Sequence, residues 1–240
     1  MSEEQTVPVG RVVIEDVVPE VDCGRFAVKR AVGEKVVVEA DVFADGHDEI
    51  SAALLYRADP AAPWLESPMV PLVNDRWRGE FRVDRLGTYE YTIEGWVDRF
   101  KSWRRDLEKK SRAGQDVTVE LMEGARLVEA AAARASGAEA EQLGGWAERL
   151  RDPGLSVLAR VRDSLDEPLG ALMASHPDRS AATRYGRALA VTVDRHRARF
   201  SSWYEMFPRS ASPEPGRHGT FDDLIARLPY VASMGFDVLY

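Results

Sequence analysis

The chain has 240 residues, 45% hydrophobic and 30% charged, with a formal net charge of -8. That is enough apolar mass for real cores, and the acidic balance argues against a nucleic-acid or anionic-membrane partner. A single cysteine, Cys23, excludes an internal disulfide and fits a reducing, cytoplasmic compartment; no uncharged apolar run reaches the length of a membrane span.

The start, MSEEQTVPVG, has neither a basic end nor an apolar stretch and does not read as a secretory signal. From Arg11 to about Leu121 the dominant period is two. KVVVEADVF sets Val36, Val38, Ala40 and Val42 on one face, with Glu39 and Asp41 on the other. RWRGEFRV alternates Trp77, Gly79, Phe81 and Val83 against charged residues, and TYEYTIEGWV alternates Tyr89, Tyr91 and Ile93 against Glu90, Thr92 and Glu94. RVVIEDVV, ISAALLYR and DVTVEL read as further strands, with turns at Asp45-Gly46, Asn74-Asp75 and Leu86-Gly87. Short alternating strands with regular turn signals predict an antiparallel β-sandwich.

Near Glu120 the period becomes helical. Leu121, Ala125, Val128 and Ala132 line a first helix that ends at Ser136-Gly137. A second carries Leu143, Trp146, Ala147 and Leu150 and stops at Asp152-Pro153-Gly154. A third carries Leu158, Val161, Leu165 and Leu169, with Pro168 a kink or restart, and a fourth is expected from Pro177-Asp178 through Tyr185. Together they predict a four-helix bundle. ALAVTVDR then returns to period two through Leu189, Val191 and Val193. A lone strand is unstable, so it is expected to rejoin the sandwich, which makes the bundle an insertion.

The last section reads strand, loop, helix, strand. RFSSWYEMF is an aromatic strand, and Thr220 with Asp223 forms a capping box opening FDDLIARLPYVASM. Leu224, Ile225, Leu228 and Val231 make that helix's apolar side, and Gly235 ends it before FDVLY. One βαβ unit implies parallel strands but is not a domain, so the neighbours of FDVLY are expected beyond Tyr240. The expected division is a sandwich over 11–120 plus about 189–197, an inserted bundle over 121–188, and the truncated start of a (β/α)8 barrel over 198–240.

Two stretches carry a family resemblance. VDRHRARFSSWYEMFPRS, Val193 to Ser210, resembles the segment leading into the first barrel strand of the α-1,4-glucan:maltose-1-phosphate maltosyltransferases, and GTFDDLIARLPYVASMGFDVLY continues the match. These enzymes belong to the α-amylase superfamily, glycoside hydrolase family 13, and carry a sandwich with an inserted helical bundle before the barrel. The resemblance implies transfer of a maltosyl unit from α-maltose 1-phosphate to the non-reducing end of an α-1,4-glucan, with release of phosphate and retention of configuration. It also implies a homodimer through sandwich and insertion. Retention calls for a nucleophilic carboxylate and a carboxylic acid roughly 5 Å apart, and no metal or organic cofactor. In this superfamily those groups follow the fourth, fifth and seventh barrel strands, so the resemblance implies catalytic residues beyond Tyr240. No catalytic, substrate-binding, cofactor or metal residue is carried over, and these 240 residues alone are expected to be inactive.

Competing readings are another family 13 enzyme of debranching or branching type, for which the four-helix insertion is not expected, and a non-catalytic carbohydrate-binding or dimerisation module. Trp96 lies on the polar parity of its strand, where it could stack on sugar; a bulge at Gly95 turning it inward, or packing between domains, is the better reading. Trp77 belongs to the core. Asp98 to Arg112 holds seven basic and three acidic residues, read as a solvated loop or interface charge cluster rather than an anion site. His47, His176, His196 and His218 have no metal-ligand spacing. Glu205 and Arg209 fall at the end of the first barrel strand, supporting it or touching sugar, and Cys23 is expected to be an inert thiol.

Overall fold

The computed structural model describes residues 10–240; the reading of the first nine residues lies outside them. The strands in chain order are β1 (Val12–Val18), β2 (Val28–Ala31), β3 (Lys35–Ala44), β4 (Ile50–Arg57), β5 (Leu65–Pro68), β6 (Val70–Pro71), β7 (Arg76–Arg82) and β8 (Gly87–Val97). Five helices follow: α1 (Arg99–Arg112), α2 (Thr118–Ala132), α3 (Gly137–Arg151), α4 (Val157–Ser164) and α5 (Glu167–Ser175). Then come β9 (Thr183–Arg184), β10 (Leu189–Asp194), β11 (Trp203–Tyr204), α6 (Phe221–Ser233) and β12 (Val238–Leu239).

One sheet has the order β1-β3-β7-β6 and the other β2-β10-β8-β4-β5, with β9 added to β8. They share one core, in which Val36, Val38, Val42 and Phe81 meet Leu54, Tyr91, Ile93, Leu189 and Val191. The period-two residues of β3, β7 and β8 point into it. The edge strand β6 holds two residues, one of them Pro71, which blunts the exposed edge against further pairing.

β10 does enter the second sheet, between β2 and β8, with Leu189, Val191 and Val193 buried. It runs antiparallel to β8 but parallel to β2, so the sheet is mixed rather than purely antiparallel. Consecutive strands joined by tight turns must alternate in direction. A strand reached after the long helical excursion has no such constraint.

The helical layer differs from expectation at three points. Asp98 to Arg112 is not a solvated loop. It is helix α1, N-capped by Asp98, whose side chain accepts from the Lys101 N–H at 3.0 Å. Phe100, Trp103 and Leu107, at helical spacing, bury its inner face. DVTVEL is not a strand: Asp116 accepts from the Thr118 N–H at 3.0 Å and starts α2, and Val117, Leu121, Ala125 and Val128 form its buried stripe. No helix runs from Pro177 to Tyr185. There Asp178 Oδ1 accepts from Ser180 N at 3.0 Å and Ser180 Oγ at 2.6 Å, closing a turn. Thr183 and Arg184 then pair with Gly95 and Glu94 as β9. Pro168 stands in the first turn of α5, where its missing N–H costs nothing.

At the far end, β11 and β12 pair in parallel through α6. The Thr220–Asp223 capping box is formed. Of that helix's expected apolar side only Val231 is buried; Ile225 and Leu228 face outward.

Candidate functional site

Two places gather groups that could act on a ligand or partner. The first is the outer face of β8. The β4–β8 register runs unbroken from Ile50↔Val97 to Arg57↔Glu90, so Gly95 is not a bulge. Gly95 faces the sandwich core, where a Cβ would come within 2.9 Å of Val12 and 3.0 Å of Val42. Trp96 keeps its expected outward parity yet is buried, because that face is covered. It packs with Ala53, Leu55, Trp64 and Ala182, and the Arg179 guanidinium lies 4.2 Å from its ring centroid.

Arg179 is fixed from the other side by Glu66 at 2.5 Å and Glu94 at 3.3 Å. Hydrogen bonding to Glu66 is the main reason its pKa is raised above the ordinary arginine value, keeping it charged. Buried and with the Arg179 guanidinium over its ring, Trp96 offers no open stacking platform, which favours the packing reading over the sugar-stacking one. Beside it, two adjoining crevices of about 150 and 130 Å³ run between β8, α1 and the turn at Asp178.

The second place is the β11–β12 pair. Ser202 N donates to Asp237 Oδ2 at 3.1 Å, Ser202 Oγ does so at 3.2 Å, and Arg197 sits 3.3 Å from Oδ1. The Ser202 N–H first, then its hydroxyl and Arg197, hold the Asp237 carboxyl below the usual carboxylate range. Around this pair the apolar surface is open: Phe200 is 82%, Phe221 73% and Tyr240 72% exposed. Large aromatic groups in this density on one short segment mark a contact surface.

The remaining candidates are dispersed. Glu205 and Arg209 are both exposed, just after β11, and neither side chain forms an ion pair among the described residues. His47, His196 and His218 lie in exposed turns, while His176 Nε2 is 2.8 Å from Glu139 Oε2. No cluster of three or more metal-ligating side chains occurs among the described residues, and no helix there is long and apolar enough to cross a membrane. Cys23 is exposed. Trp77 is core, its Nε1 donating to Val42 O at 3.1 Å. Of the seven cations of α1, Arg104 donates outside the helix to Leu165 O at 2.6 Å, Arg105 to Glu49 at 2.7 Å and Lys110 to Glu120 at 2.5 Å.

Two participants escaped the sequence reading. Arg179 has no local signal, since its partners Glu66 and Glu94 are remote in the chain. Asp237 did have one: a single carboxylate inside the otherwise apolar run FDVLY.

Residues 10–195 match the family model described as α-1,4-glucan:maltose-1-phosphate maltosyltransferase, domain N/S. A protein of that name from Chlorobaculum tepidum is 49% identical over 230 residues, covering 96% of this chain and 34% of the relative. One from Myxococcus xanthus is 49% identical over 243 residues, covering 98% and 36%. One from Streptomyces coelicolor, named α-1,4-glucan:maltose-1-phosphate maltosyltransferase 1, is 38% identical over 242 residues, covering 100% and 36%. The chain thus spans about a third of the length of these curated relatives.

Proposed function

The chain belongs to the α-1,4-glucan:maltose-1-phosphate maltosyltransferase family, and from that premise we propose that it is the amino-terminal, non-catalytic share of such an enzyme. The whole enzyme transfers maltosyl from α-maltose 1-phosphate to the non-reducing end of an α-1,4-glucan and releases phosphate. It is a retaining, cytoplasmic member of glycoside hydrolase family 13. Its nucleophilic carboxylate and its acid lie outside these 240 residues, and it uses no cofactor.

The observation that carries this reading is the identity of 49% over 96% of the chain to a relative of that name. Three domains follow: a sandwich of β1 to β8 with β9 and β10, a helical insertion from Arg99 to Ser175, and the opening βαβ unit of a (β/α)8 barrel from about residue 198. For the last, support comes from the parallel β11–β12 pairing through α6 and from the apolar groups that surround it, which a completed barrel would cover. The sandwich and insertion also form the homodimer contact. Val119 and Met122 on α2, and Val157 and Leu158 on α4, leave apolar surface for it.

The experiment is phosphate release from α-maltose 1-phosphate with a maltooligosaccharide acceptor. A longer protein containing this chain should release phosphate and lengthen the acceptor, and the 240 residues alone should do neither. Turnover by the 240 residues, surviving a trap for contaminating longer enzyme, would put the chemistry inside them. A longer protein that forms no product would end the maltosyl-transfer reading. For the dimer, sedimentation showing only monomer at micromolar concentration, or a dimer unaffected by removing the helical insertion over 99–175, is the contrary result.

A further inference from the structure

The stretch 205–220, between β11 and α6, is far longer than the roughly 2–6 residues that usually join a strand to a helix, and connections of such length are usually functional. It is also braced from within. Gly219 N donates to Arg209 O at 2.9 Å, and a Cβ at Gly219 would stand 2.2 Å from Pro208 O and 2.7 Å from Ser212 N. Ala211, in the same turn, is buried. Arg217 pairs with Glu214 at 3.2 Å and with Asp223 at 2.8 Å, which ties the far end of the loop to the cap of α6. A long loop held in this way presents its outward side chains in one arrangement.

Three of those side chains are outward and unspent. Tyr240 N donates to Tyr204 O at 2.8 Å and Met206 N to Tyr240 O at 2.9 Å, bonds that bracket Glu205 and set it opposite Tyr240. The chain stays extended through Phe207, so Trp203, Glu205 and Phe207 share one face by alternation. All three are exposed, whereas Tyr204 and Met206 between them are half-buried. Trp203 and Tyr240 lie within the laddered strands, where a closed barrel fills its interior with side chains. Phe207 lies past the last ladder bond and is 69% exposed, and Arg209 follows in the turn over Pro208–Ala211. No hydrogen bond or ion pair engages the Glu205 or Arg209 side chain among the described residues. An acceptor, an aromatic face and a donor thus gather at the C-terminal end of a strand, where βα-loops build the sites of (β/α)8 barrels.

We propose that Glu205, Phe207 and Arg209 form a subsite for a glucosyl unit of the α-1,4-glucan acceptor, with Phe207 against the apolar face of the ring and Glu205 and Arg209 on its hydroxyls. The proposal rests on the barrel and maltosyl-transfer reading above. A sugar hydroxyl both donates and accepts, so a carboxylate and a guanidinium serve it together. The phosphate end of the donor is the poorer match, because Glu205 repels a dianion. The neutral glucan meets no such penalty.

The test uses a longer protein containing this chain, with maltoheptaose as acceptor. Phe207→Ala and Arg209→Gln should each raise the acceptor KM about tenfold, while the KM for α-maltose 1-phosphate moves less than about twofold. Calorimetric titration with maltoheptaose alone reads the same surface without turnover, and both variants should weaken it by a similar factor. Should Phe207→Ala fail to fold, Arg209→Gln and Glu205→Gln carry the same comparison. Maltoheptaose binding that both variants weaken, in a protein that forms no product, ends the maltosyl-transfer reading while the glucan site stands. Product formed with an acceptor KM and a maltoheptaose affinity that neither variant changes overturns the site and leaves the transfer reading intact. A donor KM that rises in place of the acceptor's also overturns it, as does the absence of maltoheptaose binding up to about 10 mM.

Discussion

Gly124→Ala should destabilise the protein, although Gly→Ala inside a helix ordinarily does the reverse. A Cβ at Gly124 on α2 would stand 1.9 Å from Trp103 Cζ2, and 2.4 Å from both Cε2 and Cη2. Carbon atoms in contact sit about 3.5–4.0 Å apart, so the ring must retreat by roughly 1.5–2 Å. Trp103 is anchored by its Nε1 bond to Glu120 O at 2.7 Å and by tilted contact with Phe100, centroids 5.4 Å apart. Overpacking of this kind costs about 1–3 kcal/mol, and leaving the indole N–H without its acceptor about 1–3 more. The helix propensity gained is about 1 kcal/mol. The net is a loss of about 1–5 kcal/mol, and a value near the middle, about 3 kcal/mol, is about 6–12 °C in Tm for a chain of this length. Gly145 on α3 is the control, since a Cβ there meets nothing within 4 Å; Gly145→Ala should raise stability by up to about 1 kcal/mol. Urea unfolding followed by circular dichroism at the helix band reads both. Should Gly124→Ala move the midpoint upward alongside Gly145→Ala, the close approach of α1 to α2 through Trp103 is wrong.

On the sandwich side, Gly95→Val drives a branched side chain toward Val12 and Val42 and should cost about 1–3 kcal/mol, read as a lower urea midpoint with unchanged slope. Tyr91→Phe removes the buried hydroxyl that donates to Pro19 O and leaves that carbonyl unmet, a loss of about 1–3 kcal/mol measurable in the same way. Thr220→Ala breaks the capping box and should speed amide exchange in the first turn of α6 while leaving β3 and β8 unchanged. The box also has an acid limit. Arg217 first, then the Thr220 N–H, hold the Asp223 carboxyl far below the usual carboxylate range. A depressed folded-state pKa gives a contribution complete above the unfolded value near about 3.9, and lost only as pH falls below it. Protection of the α6 first turn should therefore be flat from neutrality down to about pH 4 and decline below it; a decline beginning near pH 6 would contradict this.

Much of the architecture was legible because it is written in local periods. The alternation in β3, β7 and β8 needs only the strand pleat to send Val36, Phe81 and Tyr91 inward. The Thr220–Asp223 box and the Pro168 restart are set within a few residues of chain. Local reading failed where two periods coincide or where charge hides one. Val117, Val119 and Leu121 fit alternation, while Val117 and Leu121 alone fit a helix, and only the packing of α2 on α1 and α3 selects the helix. In α1 three buried aromatic and aliphatic groups stand among seven basic residues, so composition pointed to solvent while the spacing of Phe100, Trp103 and Leu107 pointed inward.

What only the tertiary structure decided is which faces are covered, and by what. Trp96 keeps the outward parity that its sequence dictates, yet it is buried because Arg179, Trp64 and Ala182 arrive over it from distant parts of the chain. The direction of β10, parallel to β2, likewise depends on where a long excursion returns. Periodicity reports a residue's relation to neighbours a few positions away. Burial and free donors, such as Trp96 Nε1, depend on contacts between residues far apart in the chain, and no local pattern encodes those.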